Sequence, residues 1–364
     1  MRNRLLNTLF VLFAAALVLF FGEKPIYNWD MIAYMGVAVE YTEHNPQKVH
    51  DSVYKALKEE VPAPVYRDLT ANIEDRKECL ENVNTFEDEL SFFRAKPLYT
   101  FFVFLLHKVG VHLVMATLIP SIIACFFIML LVYQWLGVYL KKPYAFVLAL
   151  LVGFLRVIIE LDRYSTPDAI SNLFILWSLY LVATKADRRW IIASLLLCIA
   201  ARIDNFIFAG VVAYFIYLRG TKNIGLKLLL LGALAAICVI GVPMLMGDKA
   251  DWFTKFAFLE SVPAYVQHWR DTIYLVRTDV FYILMILVTA FLIWKGNKEV
   301  KTILYLIVIT IGVRMVLFPS LQERFFAAYE IAVLIILAYH LAGVFKTLRI
   351  TNKVETDRIV NPAA

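Results

Sequence analysis

The sequence predicts an all-α polytopic membrane protein with about ten transmembrane helices and a set of outer juxtamembrane helices. Three observations predict it. Of 364 residues 61% are hydrophobic and the mean hydropathy is +0.70, more apolar surface than a soluble domain of this size has room to hide. Apolar runs recur near residues 5–21, 112–138, 144–161, 168–184, 190–202, 205–218, 224–246, 279–295, 302–318 and 325–345. The polar connections between them alternate in character, and every second one is rich in Lys or Arg.

In chain order, residues 1–22 form the first span. Its run is followed by the charged "GEK" with no small-x-small cleavage site before it, so it is expected to stay as an uncleaved span with Arg2 and Arg4 inside. Residues 23–111 are polar enough to lie outside as a large loop with a small helical cap. In "NPQKVHDSVYKALKEEVP", Pro46 opens a helix on which Val49, Val53 and Leu57 recur at helical spacing.

The stretch "KPLYTFFVFLLHKVG" (96–110) decides the topology. If it crossed, the basic loops "YLKKPY", "TKADRRW", "RGTKNIGLK", "KGNKEVK" and "FKTLR" would all face outside, against the positive-inside rule. It is therefore read as an amphipathic helix on the outer surface. Spans 2–7 then occupy residues 112–246, an aromatic outer loop 247–278, and spans 8–10 residues 279–346, with a cytoplasmic tail 347–364. Both termini are expected in the cytoplasm.

The net charge of +6 belongs first to those cytoplasmic loops. There is no glycine-rich phosphate loop, no helical zinc-ligand pair and no basic soluble domain for nucleic acid. The four cysteines, Cys79, Cys125, Cys198 and Cys238, imply no disulfide framework, three lying in apolar spans and one alone in a polar loop. The six histidines show no ligand spacing.

Charges gather at the outer ends of the spans: Asp30; Arg94 and Lys96; Glu160, Asp162, Arg163 and Asp168 in "ELDRYSTPDA"; Arg202 and Asp204 in "AARIDNF"; Arg314; and Glu323 and Arg324 in "LQERFF". An ionisable group in a span costs about 2.5–3.5 kcal/mol on insertion scales, so such groups pair or work. Guanidinium forks suit a phosphate, and a carboxylate suits taking a proton from an attacking hydroxyl. Plainer roles exist for each: Asp30 and Asp168 as helix caps, Arg94 and Lys96 as interfacial side chains, and Arg202 with Asp204, or Arg324 with Glu323, as structural pairs.

In order and placement these features resemble the GT-C glycosyltransferases, above all the protein O-mannosyltransferases and lipid A aminoarabinose transferases. The matching segments are "NWDMIAY" with Asp30, "AKPLYTFFVFLLHKVG", "RYSTPDA" (163–169), "AARIDNF", the aromatic "DWFTKFAFLESVPAYVQHW" and "ERFFAAYE". The chain departs from the pattern in having Asp-Met where many relatives have Asp-Glu, Arg202 where Lys-Gly is common, no prolines after the late Arg-aromatic pair, and no large C-terminal soluble domain.

The resemblance implies an integral membrane enzyme of the bacterial inner membrane. It would move a sugar from a polyprenyl-phosphate donor to a hydroxyl of a glycan, lipid or protein at the periplasmic face, with inversion. Asp30 would be the base and Asp168 a second carboxylate that positions the acceptor or holds an arginine. Lys96, Arg163, Arg202 and Arg324 would bind the donor phosphate, supported by Arg94, Asp162, Asp204 and Glu323. Nearby arginines would keep Asp30 ionised, and the aromatic loop 252–269 would close over the donor. The scheme needs no metal or cofactor and no nucleic acid. A glycan ligase or polymerase, a transporter or flippase of lipid-linked glycans, and a non-catalytic envelope-assembly protein are the alternatives.

Overall fold

The computed structural model describes residues 2–218, 220, 222–241 and 261–360, and among them it is all-helical, with no strand. The chain opens with α1 (Arg2–Gly22). Shorter helices follow: α2 (Asp30–Glu40), α3 (Pro46–Glu60), α4 (Ala63–Ala71), α5 (Glu74–Glu81), α6 (Val83–Phe93) and α7 (Pro97–Lys108). Then come α8 (Leu113–Tyr139), α9 (Lys142–Gly153), α10 (Arg156–Arg163), α11 (Asp168–Ala183) and α12 (Arg188–Ala201). Next are α13 (Phe206–Ala213), prolonged by a π-helical turn over Tyr214–Leu218, and α14 (Ile224–Ala236). The last helices are α15 (Val262–Thr278), α16 (Val280–Lys295), α17 (Lys298–Leu317) and α18 (Glu323–Val360).

Among the described residues four helices are long and apolar enough to cross a membrane: α1, α8, α17 and the Glu323–Val344 part of α18. The number rises to six if each of two bent pairs is one span, α9 with α10 (61°) and α15 with α16 (84°). Helices α11 and α12, of 16 and 14 residues, reach roughly 21–24 Å against a hydrocarbon core of about 30 Å. At 12 residues α7 is shorter still.

The run 144–161, expected as one helix, is broken between Gly153 and Arg156. A Cβ on Gly153 would meet Met129 Cε at 2.5 Å and Leu17 Cδ2 at 2.8 Å, so its absence lets α9 close onto α1 and α8. Residues 262–278, expected within a loop, form helix α15. Residues 242–260, which include the 247–260 part of the expected aromatic loop and the end of the 224–246 run, lie outside the described residues.

Helix α8 is the hub, packing against α1, α7, α9, α10, α11 and α18. Phe10 stacks on Tyr133 with ring centroids 4.3 Å apart, and Phe146 meets Phe10 edge-on at 5.7 Å. Within lipid such contacts hold by van der Waals fit, because lipid tails are as apolar as the side chains. Small and hydroxyl residues join α11 to α12: Ser178 Oγ donates to Ser194 Oγ at 2.8 Å. Pro120 interrupts the hydrogen-bond ladder of α8, and the Tyr99 hydroxyl donates to the neighbouring Thr117 carbonyl at 2.6 Å, the kind of outside partner that makes a proline tolerable there.

The cap forms as its sequence predicts. Asn45 accepts from Lys48 N, Pro46 takes the first helical position, and Val49, Val53 and Leu57 are buried. Helix α2 is sunk between α3, α6 and α7, with Met31 to Ala38 all buried. Glu60 at the end of α3 accepts from the backbone N–H groups of Leu113 and Val114 at 3.1 and 2.8 Å. A carboxylate thus satisfies the orphan donors at the α8 N-terminus and pins the cap to the bundle.

Candidate functional site

Three turns and one helix start, distant in sequence, are brought together by polar side chains. Ser121 on α8 donates to the Tyr164 carbonyl at 2.7 Å, with the Thr166 carbonyl at 3.2 Å; this fixes the turn before Asp168. Ile26 N donates to the Arg163 carbonyl at 2.9 Å, and Arg163 Nε donates to the Lys24 carbonyl at 2.6 Å. Those two bonds tie the segment carrying Asp30 to the same turn. Asn172 on α11 donates to the Arg324 carbonyl at 2.6 Å and accepts from Ala328 N at 2.8 Å, which sets the start of α18. Asn205 donates to Ser171 Oγ and the Cys198 carbonyl, both at 2.8 Å, holding the Arg202–Asp204 turn.

The result is a cavity of about 330 Å³ whose wall includes Asp30, Lys96, Asp168, Arg202, Arg314 and Arg324. Its charges alternate along a ladder. Asp30 Oδ2 lies 3.6 Å from Arg324 Nη2, and Arg324 Nε lies 3.3 Å from Asp168 Oδ2. Asp168 Oδ1 accepts from Arg202 Nη1, and Arg202 holds Asp204 through two bonds of 3.1 Å. Arg314 Nη1 donates to Asp204 Oδ2 at 2.7 Å. One aromatic ring organises the three guanidiniums: Phe325 has the Arg202, Arg314 and Arg324 carbons 4.2, 5.1 and 5.3 Å from its centroid.

Three carboxylates match three arginines, so the ladder is neutral. Lys96 stands beside it. Its Nζ donates to the Phe92 carbonyl at 2.5 Å and sits 3.5 Å above the Phe92 ring centroid. Burial, reinforced by Arg202, pushes its pKa down to about 7. Asp30 moves the other way. Burial raises its pKa above the usual carboxylate value, outweighing the opposing charge of Arg324, contrary to the expectation that arginines would dominate. A carboxylate so placed is a stronger proton acceptor than one in water.

Neither Asp30 nor Asp168 caps its helix. Each is the first residue of its helix, after Trp29 and Pro167, and neither cap position makes a side-chain cap bond. Asp168 is 2% exposed and fully engaged, accepting also from Thr166 Oγ1 at 2.8 Å. Of the two roles expected for it, the geometry is that of a carboxylate holding arginines.

Of the expected phosphate ligands, Lys96, Arg202 and Arg324 line the cavity and Arg163 does not. Arg163 lies outside the lining, with its Nε donating to the Lys24 carbonyl at 2.6 Å. Arg94, expected in support, also lies outside the lining and forks onto Glu40, which ties the end of α6 to α2. Asp162 is buried in α10 away from the cavity, and neither of its carboxylate oxygens has a hydrogen-bond partner. Asp204 belongs to the ladder, while Glu323 faces a second recess. The sequence reading gave no role to Arg314, Phe325, Gln322 or His268, all in the cavity wall. An arginine inside an apolar run was the available signal for Arg314; nothing in the sequence distinguishes Phe325 from its neighbour Phe326.

Fold and site together define an all-helical chain with membrane-length helices and a charged cavity where several helix ends meet. No family model, curated protein or solved structure matches the chain.

Proposed function

We propose that the chain is a GT-C-type glycosyltransferase with about ten spans, cytoplasmic termini and a periplasmic site, the short helices α11 to α14 crossing a locally thinned bilayer. It moves a sugar from a polyprenyl-phosphate donor to a hydroxyl acceptor. The observation that carries the reading is that Asp30 shares one cavity with Lys96, Arg202 and Arg324, although the three cations come from three separate turns.

In this reading the donor phosphate lies against Lys96 and the outward face of the arginines. The ladder is internally neutral, so Lys96 is the surplus cation, which suits the single negative charge of a phosphodiester better than a diphosphate. Asp30 takes the proton of the acceptor hydroxyl as its oxygen bonds to the anomeric carbon. The bond from that carbon to the phosphate oxygen breaks, and the electron pair leaves with the polyprenyl phosphate. Attack opposite the leaving group inverts the centre. Arginines fixed by Asp168, Asp204 and Phe325 meet the growing phosphate charge without reorganising.

The test is to supply the protein in lipid nanodiscs with a panel of polyprenyl-phosphate sugars and follow release of free polyprenyl phosphate. Turnover of one donor supports the reading. If no donor is consumed or stabilises the protein, the proposal falls.

A further inference from the structure

A second recess, of about 590 Å³, opens on the other side of Asp30 and shares Asp30, Gln322 and Arg324 with the first cavity. Its remaining wall has a different chemistry. Trp29, Tyr164 and Tyr282 give it aromatic surface, and Asn28 and Gln322 give it amides. Glu160, Asp279 and Glu323 give it carboxylates. Among the described residues this wall has no lysine and no set of guanidiniums stacked on one ring.

Charge matching in the two recesses also differs. Arg156 is taken by Glu160 at 2.8 Å, and Arg324 is divided between Asp30 and Asp168. Asp279 caps α16 by accepting from Phe281 N at 2.8 Å but pairs with no cation among the described residues, nor does Glu323. Against them stands one further cation, Arg76, whose Nη1 donates to the Asp68 carbonyl at 3.2 Å. Among the described residues the wall thus sets four carboxylates, Asp30, Glu160, Asp279 and Glu323, against three guanidiniums, Arg76, Arg156 and Arg324, and is negative on balance. Two polar atoms of the same wall, Asn28 Oδ1 and Trp29 Nε1, are buried without a hydrogen-bond partner, so turning either toward an incoming hydroxyl breaks no existing bond.

We infer that this recess binds the acceptor, and that the acceptor is a saccharide carrying no acidic group, either neutral or amine-bearing. The inference rests on the glycosyltransferase reading for the word acceptor; the ligand class comes from the recess itself. Carboxylates and amides accept from and donate to vicinal hydroxyls in pairs, and aromatic rings present apolar faces to the C–H side of a sugar ring. An anionic sugar would set its charge against Glu323 and Asp279, with Arg76 to offset them, because Arg156 and Arg324 are already held by Glu160 and by Asp30 and Asp168. The division of labour follows: phosphate on the lysine side of Asp30, hydroxyl-rich acceptor on the carboxylate side, with the base between.

The test uses the full chain in nanodiscs with no donor present. Equilibrium binding is measured for three matched probes, p-nitrophenyl glucoside, glucosaminide and glucuronide. The glucoside and glucosaminide are expected to bind at least about tenfold more tightly than the glucuronide, and Glu323→Gln with Asp279→Asn is expected to bring the three within about threefold. Asn is as good a helix cap as Asp, so the second substitution keeps the start of α16. Equal or tighter binding of the glucuronide to the unmodified protein, or a preference unchanged in the double variant, overturns the inference. Failure of the donor reading appears elsewhere, as absence of polyprenyl phosphate release, and leaves these binding results standing or falling by themselves.

Discussion

The two ends of the ion ladder are built from the same residue types and are not alike. At the deep end Asp204 is gripped by Arg202 through two bonds of 3.1 Å and by Arg314 at 2.7 Å, and its side chain is 9% exposed. At the open end Asp30 has Arg324 at 3.6 Å, and its side chain is 36% exposed. A carboxylate held by three bonds from two guanidiniums holds structure. One with lone pairs to spare, facing two cavities, is free to take a proton. The comparison separates stability from chemistry along a single chain of charges.

The largest effect expected from breaking the comparison is at the deep end. Asp204→Asn leaves the Arg202 and Arg314 guanidiniums buried against each other, and removal of one partner from a buried network costs about 3–5 kcal/mol. Thermal unfolding in nanodiscs should show the variant strongly destabilised, and Arg314→Met in the same background should recover part of the loss. Full stability of Asp204→Asn would mean that the deep end is not structural.

A smaller effect sharpens the role of Lys96. With a pKa near 7, its ammonium is lost as pH rises through neutrality, so affinity for a polyprenyl phosphate should fall by about tenfold per unit above that point. Lys96→Met should abolish the dependence. The stability sign is opposite. The unfolded lysine keeps its proton to about pH 10.4, so between pH 7 and that value the unfolded state binds more protons, and stability without donor rises with pH. An affinity that is flat in pH would remove Lys96 from the phosphate site.

The smallest effect concerns Arg163. Arg163→Gln loses the bond to the Lys24 carbonyl and should cost about 1 kcal/mol of stability, with donor affinity unchanged. A fall in donor affinity of about tenfold or more, with stability intact, would restore Arg163 as a phosphate ligand.

Much of this was legible in the sequence, for identifiable reasons. The helical class follows from apolar runs, and α3 from Pro46 with Val49, Val53 and Leu57, all local signals. The outer-end clustering of charge pointed to Asp30, Lys96, Arg202 and Arg324, which the fold gathers. Arg163 could not be sorted from them, because a bond from its Nε to the Lys24 carbonyl, 139 residues away, leaves no mark in local sequence. Glu40 is also remote from Arg94, 54 residues off. The break in 144–161 carries no proline to mark it, and the close approach of Gly153 to Met129 and Leu17 beside it is a matter of packing between distant segments. Phe325 owes its importance to the ring and guanidinium distances alone, whereas Arg314 was marked as an arginine inside an apolar run.

The most direct measurement compares wild type with Asp30→Asn, in one nanodisc preparation, for both melting temperature and polyprenyl phosphate release from the donor that wild type consumes. Asparagine keeps the shape and loses the base, and general-base catalysis contributes about 10²–10⁴-fold. The account predicts a rate lower by that factor at a melting temperature close to wild type. A variant as fast as wild type, or one slowed only because it unfolds, would contradict the claim that the open end of the ladder is where the chemistry happens.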